Sequence, residues 1–394
     1  MSKTRWPLVW ILIFGGVVAA FQIGKAAIAV PLLRDDLGLS LTFASWVVSI
    51  FAVVGAIGGL PAGVGIKFLG ARRAVVGGLL TIGTASCLGA FASGGPMLMV
   101  TRLFEGLGFL MVAIGAPTLL RAVTATKDRD GVFGCWTAYY ATGTVIIMLA
   151  GPWLAKFGWQ GLWLGAGLVA FGYAIVIWMV APDAPDDLAT SWSRAFADVG
   201  LVLRSPGPVL LALTFGAYTL QYHALSGLMP TLLVERLGLS ITEAGAISAI
   251  TIVANGLGSL SAGWMLGRGI PLWVMVAAGF GFIGFASFGI FAPAMPVAGV
   301  ALLASASLGF SGLMPALVYV AAPRFTPHPA LLALTLGVVV QASNLGNFIG
   351  PPALGAWVET FGWSSAPALF VAIACIGLSI ALGFRRLGRN PPSS

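Results

Sequence analysis

The chain has 394 residues, of which 59% are hydrophobic and 8% are charged, and its formal net charge is +8 at pH 7. An average soluble domain is about 25% charged, so this composition excludes a soluble fold of this length. The positive charge does not indicate nucleic-acid binding, because the sequence has no basic stripe with interleaved aromatic residues.

Long apolar runs predict an all-α integral membrane protein with twelve transmembrane helices, because about 20 apolar residues cross a bilayer as a helix. The 54 glycines and 23 prolines fit this prediction, since membrane helices use small residues for close packing and tolerate proline kinks. The first run is too long for a cleavable signal peptide and is predicted to be span 1. In chain order, the predicted spans 1 to 12 cover residues 8–33, 43–66, 73–94, 96–120, 131–155, 160–182, 208–233, 241–266, 271–292, 294–320, 330–356 and 364–384.

The basic residues predict the orientation of these spans. With the N-terminus placed in the cytoplasm, fifteen of the 20 Lys and Arg residues fall on the cytoplasmic side. Three fall outside (Arg34, Lys156 and Arg236), and Lys25 and Arg102 lie within spans. Because cytoplasmic loops carry an excess of Lys and Arg, we predict a multi-pass cell-membrane protein, in a bacterial inner membrane, with both termini in the cytoplasm.

A repeat predicts the domain organisation. Residues 32–42 are identical to residues 232–242 at seven of eleven positions without a gap, and each copy lies between two apolar runs. Parallel repeats in a membrane protein predict two similar helical bundles with a shared cavity. We therefore predict an N-terminal six-helix bundle over 1–182, a cytoplasmic linker over 183–207 and a pseudo-symmetric C-terminal six-helix bundle over 208–394.

Three ionisable side chains lie within the spans, namely Lys25, Arg102 and Glu105. Such groups are costly in a membrane and are therefore functional candidates. Lys25 shares a helix face with Gln22, and the opposite direction of span 4 brings Arg102 and Glu105 to a similar depth. Glu105 can neutralise one cation and leave the other to attract an anion. The alternatives are a structural Arg102–Glu105 ion pair and a structural Lys25–Glu105 bridge.

Polar residues of other spans are further candidates. Histidine side chains ordinarily titrate near neutral pH, so His223 is, with Glu105, a candidate for proton coupling. The alternative is a hydrogen bond that packs helices. Tyr222 follows Gln22 by 200 residues and is predicted to bind substrate from the second half. Tyr139 and Asn344 are predicted to be polar substrate-binding residues.

Two motifs resemble those of the major facilitator superfamily. The loop between spans 2 and 3 carries Gly63, Lys67, Gly70, Arg72 and Arg73. It resembles the cytoplasmic gating loop of that family, although Lys67 stands where the family usually has an acidic residue.

The second motif lies in span 4, where Arg102-x-x-Glu105-Gly106 resembles the family's Arg-x-x-Gln-Gly motif. In proton-coupled members this arginine is associated with proton transfer. Gly151 and Pro152 match part of the end of the family's antiporter motif. The two glycines that complete the motif are absent. The general pattern resembles the branch that transports cyanate and nitroimidazoles.

The resemblance implies a secondary active transporter that works by alternating access, usually as a monomer. Together with the buried cations, it predicts a small organic or inorganic anion as substrate, with protons as a candidate coupling ion. The alternatives are proton-coupled efflux of a hydrophobic drug-like compound and a non-transporting membrane sensor. The sequence has no Walker, His-Glu-x-x-His or Gly-x-Ser-x-Gly motif, so no catalytic residue, cofactor or metal site is predicted.

Overall fold

The computed structural model describes residues 3–58, 69–182 and 200–389, and helices cover the predicted spans there, which confirms the all-α fold. Among the described residues, seven helical stretches, or eight with the bent pair of span 2, are long and apolar enough to cross a bilayer. From span 1 to span 12 the helices are Trp6–Leu37, Leu41–Ser49 with Phe51–Gly58, Ala71–Gly89, Gly95–Val123, Arg129–Thr137 with Tyr139–Leu154, Gly158–Val180, Pro206–Thr231, Ile241–Gly267, Leu272–Ile290, Val297–Ser311 with Leu313–Phe325, Leu332–Phe361 and Pro367–Arg389.

The chain forms two compact units. The first contains Met1–Leu188 and Met229–Ala249, and the second contains Ala189–Leu228 and Ile250–Ser394. In the first unit, span 3 packs against spans 4 and 6, and span 1 packs against spans 4, 5 and 6. In the second unit, span 9 packs against spans 10 and 12, which repeats the arrangement around span 3. The linker over 183–207 stays a prediction, because most of it lies outside the described residues.

The repeat at 32–42 and 232–242 forms the same helix-to-helix turn twice. Gly38 and Gly238 follow the ends of spans 1 and 7 with φ angles of 62° and 68°, a left-handed conformation that glycine adopts without steric cost. The next span then begins at a serine cap. Ser40 Oγ accepts from the Phe43 amide at 3.1 Å, and Ser240 shares a reciprocal capping box with Glu243.

Span 2 bends by 47° between its two helices, whereas the sequence predicts one continuous helix over 43–66. Arg102 of span 4 donates to the carbonyl oxygens of Val47 and Val48, which directly precede the bend. A side chain that inserts into the backbone ladder of a helix is an established cause of kinks. The bend is therefore explained by a contact between two spans and not by a proline.

Span 4 can approach span 2 this closely because position 106 is a glycine. A β-carbon at Gly106 would collide with the carbonyl oxygen of Phe51. Gly78 and Gly108 play the same role between spans 3 and 4, since a β-carbon on either would press on the carbonyl oxygen of the other. Small residues at these crossings set the distance between the helices that carry the ionisable side chains.

Candidate functional site

Lys25, Arg102 and Glu105 form one buried charge cluster in the first unit. All three side chains are fully buried, with 0% exposure. Lys25 comes from span 1, and Arg102 and Glu105 come from successive turns of span 4. Both ion pairs that the sequence left open as structural alternatives are present, because each oxygen of the Glu105 carboxylate accepts from a different cation.

The Lys25 ammonium faces spans 3 and 6. Its Nζ donates to Glu105 Oε1 at 2.8 Å and to Ser86 Oγ at 2.5 Å. It also lies 4.6 Å from the centre of the Trp163 ring, a cation–π distance. Ser86 Oγ in turn donates to the Trp163 carbonyl at 2.7 Å. The ammonium is therefore held between one carboxylate, one hydroxyl and one aromatic face.

The Arg102 guanidinium is occupied on every side. Its Nη1 donates to Glu105 Oε2 at 2.5 Å and to the Gln22 carbonyl at 2.8 Å. Its Nε donates to the Val47 carbonyl at 2.9 Å, and its Nη2 donates to the Val48 carbonyl at 3.3 Å. Arg102 thus ties spans 1, 2 and 4 together and fixes the position of the carboxylate that Lys25 shares.

The electrostatics of the cluster follow from this sharing. With all three groups ionised, two cations face one carboxylate, and one positive charge is left in a medium of low dielectric constant. Charges interact several times more strongly there than in water, and a buried charge without full compensation is costly. The cluster is therefore suited to attract an anion.

Gln22 and Tyr139, which were predicted to bind substrate in the first half, lie in different surroundings. Gln22 is fully buried, and neither amide atom of its side chain has a hydrogen-bond partner among the described residues. Tyr139 is half-buried in span 5. Its ring stacks on Trp136 with 4.2 Å between the ring centres, and Phe109 of span 4 lies 6.2 Å away.

The candidates of the second unit are spread over spans 7 and 11. His223 is half-buried, and its Nδ1 lies 2.9 Å from the Thr219 carbonyl one turn earlier, so this nitrogen donates within its own helix. The Tyr222 ring is buried 4.9 Å from the His223 ring, at right angles to it. Asn344 is half-buried in span 11.

The predicted gating loop is described only in part. Gly63 and Lys67 lie outside the described residues. Gly70 precedes span 3 with a φ angle of 78°, and Arg73 is exposed. Arg72 donates to the Trp178 carbonyl at 2.5 Å and lies over its ring, so the start of span 3 is fastened to the end of span 6.

Sequence reasoning missed several partners of the candidate residues. Ser86 and Trp163 hold Lys25, and Asn255 of span 8 accepts from the Tyr218 hydroxyl at 3.1 Å and donates to the Leu308 carbonyl at 2.9 Å. Serine and tryptophan are common in membrane helices, so no sequence signal singles out Ser86 or Trp163. Asn255 is an amide within an apolar run, and that signal was available.

Comparisons with known proteins agree with this architecture. A family model of the Major Facilitator Superfamily matches residues 12–330 and 211–394. NiaP of Bacillus subtilis (strain 168), named for niacin and nicotinamide transport, is 22% identical over 385 residues, and the alignment covers 92% of both chains. The gallate transporter of Pseudomonas putida is 25% identical over 301 residues, covering 68% of this chain and 66% of that one. NarK2 of Mycobacterium tuberculosis (strain ATCC 25618 / H37Rv), named for nitrate and nitrite transport, is 27% identical over 338 residues, covering 82% and 81%.

Solved structures show the same fold. A bacterial homologue of the lysosomal transporter Spinster, inward-facing and occupied, superposes with a TM-score of 0.76 at 14% identity and covers 99% of this chain and 96% of that one. The D-xylose–proton symporter superposes with a TM-score of 0.75 at 15% identity and covers 97% of each chain. Since the family model matches the sequence almost from end to end, the chain belongs to the Major Facilitator Superfamily.

Proposed function

We propose that this protein is a secondary active transporter of a small anion and that it works by alternating access. The observation that carries the proposal is the buried charge cluster, in which Lys25 and Arg102 share the single carboxylate of Glu105. A fully buried surplus of positive charge is unfavourable in isolation. A substrate anion that enters beside the cluster supplies a negatively charged partner for one of the two cations.

The named relatives support an anionic substrate. Niacin and gallate are carboxylic acids that are ionised at neutral pH, and nitrate is an inorganic anion. These three relatives differ in the size of the molecules they are named for, and each is named for at least one anion. Nicotinamide, for which NiaP is also named, is uncharged. The branch resemblance to cyanate and nitroimidazole transporters stays a prediction.

Proton coupling through Glu105 completes the proposal. When Glu105 takes up a proton on Oε1, the Lys25 ammonium loses its charged partner and can bind the anion instead. When the anion leaves, Glu105 releases the proton and the Lys25–Glu105 ion pair forms again. One proton and one anion then move together, so this mechanism favours uptake driven by the proton gradient.

The test is the flux of anions into proteoliposomes that contain the Lys25→Ala variant. Nicotinate, gallate and nitrate are the probes. We expect the flux of the transported probe to fall about 10-fold or more, because a hydrogen bond to a charged group contributes about 1.5–3 kcal/mol. Lys156→Ala is the matched control, since Lys156 is an exposed lysine beside Trp153.

A second variant separates binding from folding. Lys25→Met keeps most of the volume of the side chain and leaves the Arg102–Glu105 ion pair, which is electrically balanced. We expect this variant to fold and to remain inactive. Unchanged anion flux in a folded Lys25→Ala protein would contradict the proposal, and anion binding without flux in the wild type would indicate a sensor.

A further inference from the structure

A pocket of about 350 Å³ lies within the second unit, where spans 9, 10 and 12 meet. Span 9 begins at this pocket, and spans 10 and 12 end beside it. The pocket is therefore at one membrane surface, which the basic residues predict to be the cytoplasmic one. Its described lining residues include no acidic residue, and they contribute two cations and three aromatic rings, namely Trp273, Arg324, Phe325, Phe384 and Arg385.

Aromatic rings hold the two arginines of this pocket. The Arg385 guanidinium lies 5.0 Å from the centre of the Trp273 ring, and the Arg324 guanidinium lies 5.7 Å from the centre of the Phe325 ring. The Phe325 ring in turn meets the Phe384 ring edge to face at 5.2 Å. A guanidinium that stacks on a ring keeps the N–H groups along its edge available. The aromatic residues therefore position both cations without using their hydrogen-bond donors.

The donors of both arginines lack partners in the part of the chain that the structure describes. Arg324 and Arg385 are exposed, and neither forms an ion pair or a hydrogen bond there. Arg72, by contrast, lies over the Trp178 ring and also donates to a carbonyl oxygen. The start of span 9 adds to the positive potential, because no side chain caps it and helix N-termini carry a partial positive charge. The pocket is therefore suited to an anion.

An apolar surface leads to this pocket along span 12. Leu378 and Leu382 are 40% and 50% exposed. They lie two turns and one turn before Arg385, on the same side of the helix. Exposed leucines of a membrane-spanning helix contact lipid tails, which are equally apolar. A lipid whose acyl chain lies along these leucines would place its headgroup at Arg385.

We propose that this pocket binds the phosphate of an anionic phospholipid, with Arg324 and Arg385 as its ligands. Guanidinium groups bind phosphate oxygens through two parallel hydrogen bonds, and basic pockets between membrane helices bind acidic headgroups. The exposed leucines favour a lipid over a free phosphate ester, which has no acyl chain. The inference does not depend on the proposed anion transport, because the buried charge cluster lies in the first unit and this pocket lies in the second.

The experiment measures the Tm of the purified full-length protein in detergent micelles with rising amounts of dioleoylphosphatidylglycerol. Dioleoylphosphatidylcholine has the same acyl chains and no net charge, and glycerol 3-phosphate has the phosphate without acyl chains. Arg324→Gln combined with Arg385→Gln removes both cations of the pocket. The control combines Arg268→Gln with Arg386→Gln, which removes the same charge from two exposed arginines that do not line the pocket.

We expect phosphatidylglycerol to raise the Tm of the wild type and of the control, and we expect no rise with the other two probes. The pocket variant should need about 10-fold more phosphatidylglycerol for half of the effect, which corresponds to about 1.4 kcal/mol. General attraction of basic residues to an acidic surface should fall equally in both double variants, so their difference measures the pocket. Without lipid both variants should fold, since Arg324 and Arg385 leave no described partner unpaired.

Other responses would overturn the inference. Equal responses of the two double variants would assign the effect to general surface charge. An equal response of the wild type to phosphatidylcholine would assign it to the acyl chains, and a response to glycerol 3-phosphate would indicate a free phosphate ester as the ligand. If the pocket variant does not fold, Arg324→Lys combined with Arg385→Lys replaces it, because lysine keeps the charge and loses the paired hydrogen bonds. That variant should also need more phosphatidylglycerol than the wild type, and an unchanged requirement would contradict the proposal.

Discussion

Glu105 is the residue on which the buried charge cluster depends, because each of its two oxygens serves a different cation. The two cations are not equivalent. Arg102 also donates to the backbone carbonyls of spans 1 and 2, so it keeps its position if Glu105 loses its charge. Lys25 keeps only Ser86 and the Trp163 ring. Protonation of Glu105 therefore acts mainly on Lys25.

This asymmetry predicts the behaviour of Glu105→Gln, which imitates the protonated carboxyl group. The variant should bind the substrate anion at least as tightly as the wild type, because Lys25 has lost its charged partner. Its affinity should not change with pH, and accumulation driven by a proton gradient should be lost while anion exchange persists. Titrations at several pH values and counterflow in proteoliposomes measure the two effects.

The control for this prediction is Glu243→Gln, since Glu243 is a capping residue whose partner is Ser240. That variant should keep the pH dependence of the wild type. If Glu105→Gln also kept it, the coupling proton would reside elsewhere, and His223 would become the leading candidate.

At the scale of helices, the position of the cluster depends on the close crossing of spans 2 and 4. Gly106 lies against the carbonyl of Phe51, and one turn earlier Arg102 reaches the carbonyls of Val47 and Val48. Any side chain at position 106 must push span 4 away from span 2. The hydrogen bonds of Arg102 would then lengthen. A substitution at this glycine would therefore change the positions of the ionisable groups.

We therefore expect Gly106→Ala to destabilise the protein by about 1–3 kcal/mol, the usual cost of overpacking, and to reduce anion affinity. The lower Tm and the weaker binding should appear together in thermal-shift titrations. Gly134→Ala is the control, because Gly134 is an exposed helical glycine where an added β-carbon would meet no neighbouring atom within 4 Å. There alanine should be neutral or slightly stabilising, and a Gly106→Ala protein that behaved in the same way would contradict the argument.

Local patterns could be predicted from the sequence, and contacts between distant spans could not. The turn at Gly38 and Ser40 recurs at Gly238 and Ser240 because each residue type has a fixed backbone role there. The contact of Lys25 with Ser86 and Trp163 joins three spans. It depends on the rotational position of each helix about its own axis. The break of span 2 depends on Arg102 in the same way.

For the whole molecule, the two halves of the sequence share their helix packing and differ in charge. Span 9 packs against spans 10 and 12 as span 3 packs against spans 4 and 6. The positions of the second half that correspond to Lys25 are the uncharged Ala224 and Leu225, at offsets of 199 and 200. The charged groups of the buried cluster all belong to the first half.

The basic residues also predict how the molecule is inserted in the membrane. Single cysteines at positions 35 and 364 should lie outside, and those at positions 130 and 328 should lie inside, in a background without Cys87, Cys135 and Cys375. In intact cells a membrane-impermeant maleimide should label Asp35→Cys and Ser364→Cys. It should label Asp130→Cys and His328→Cys only after the membrane is opened. All four residues are exposed, so a lack of labelling cannot result from burial. Labelling of the second pair in intact cells would contradict the predicted orientation. It would leave the expectation of proton-driven uptake unchanged, because a symporter moves proton and substrate in the same direction whichever way it is inserted.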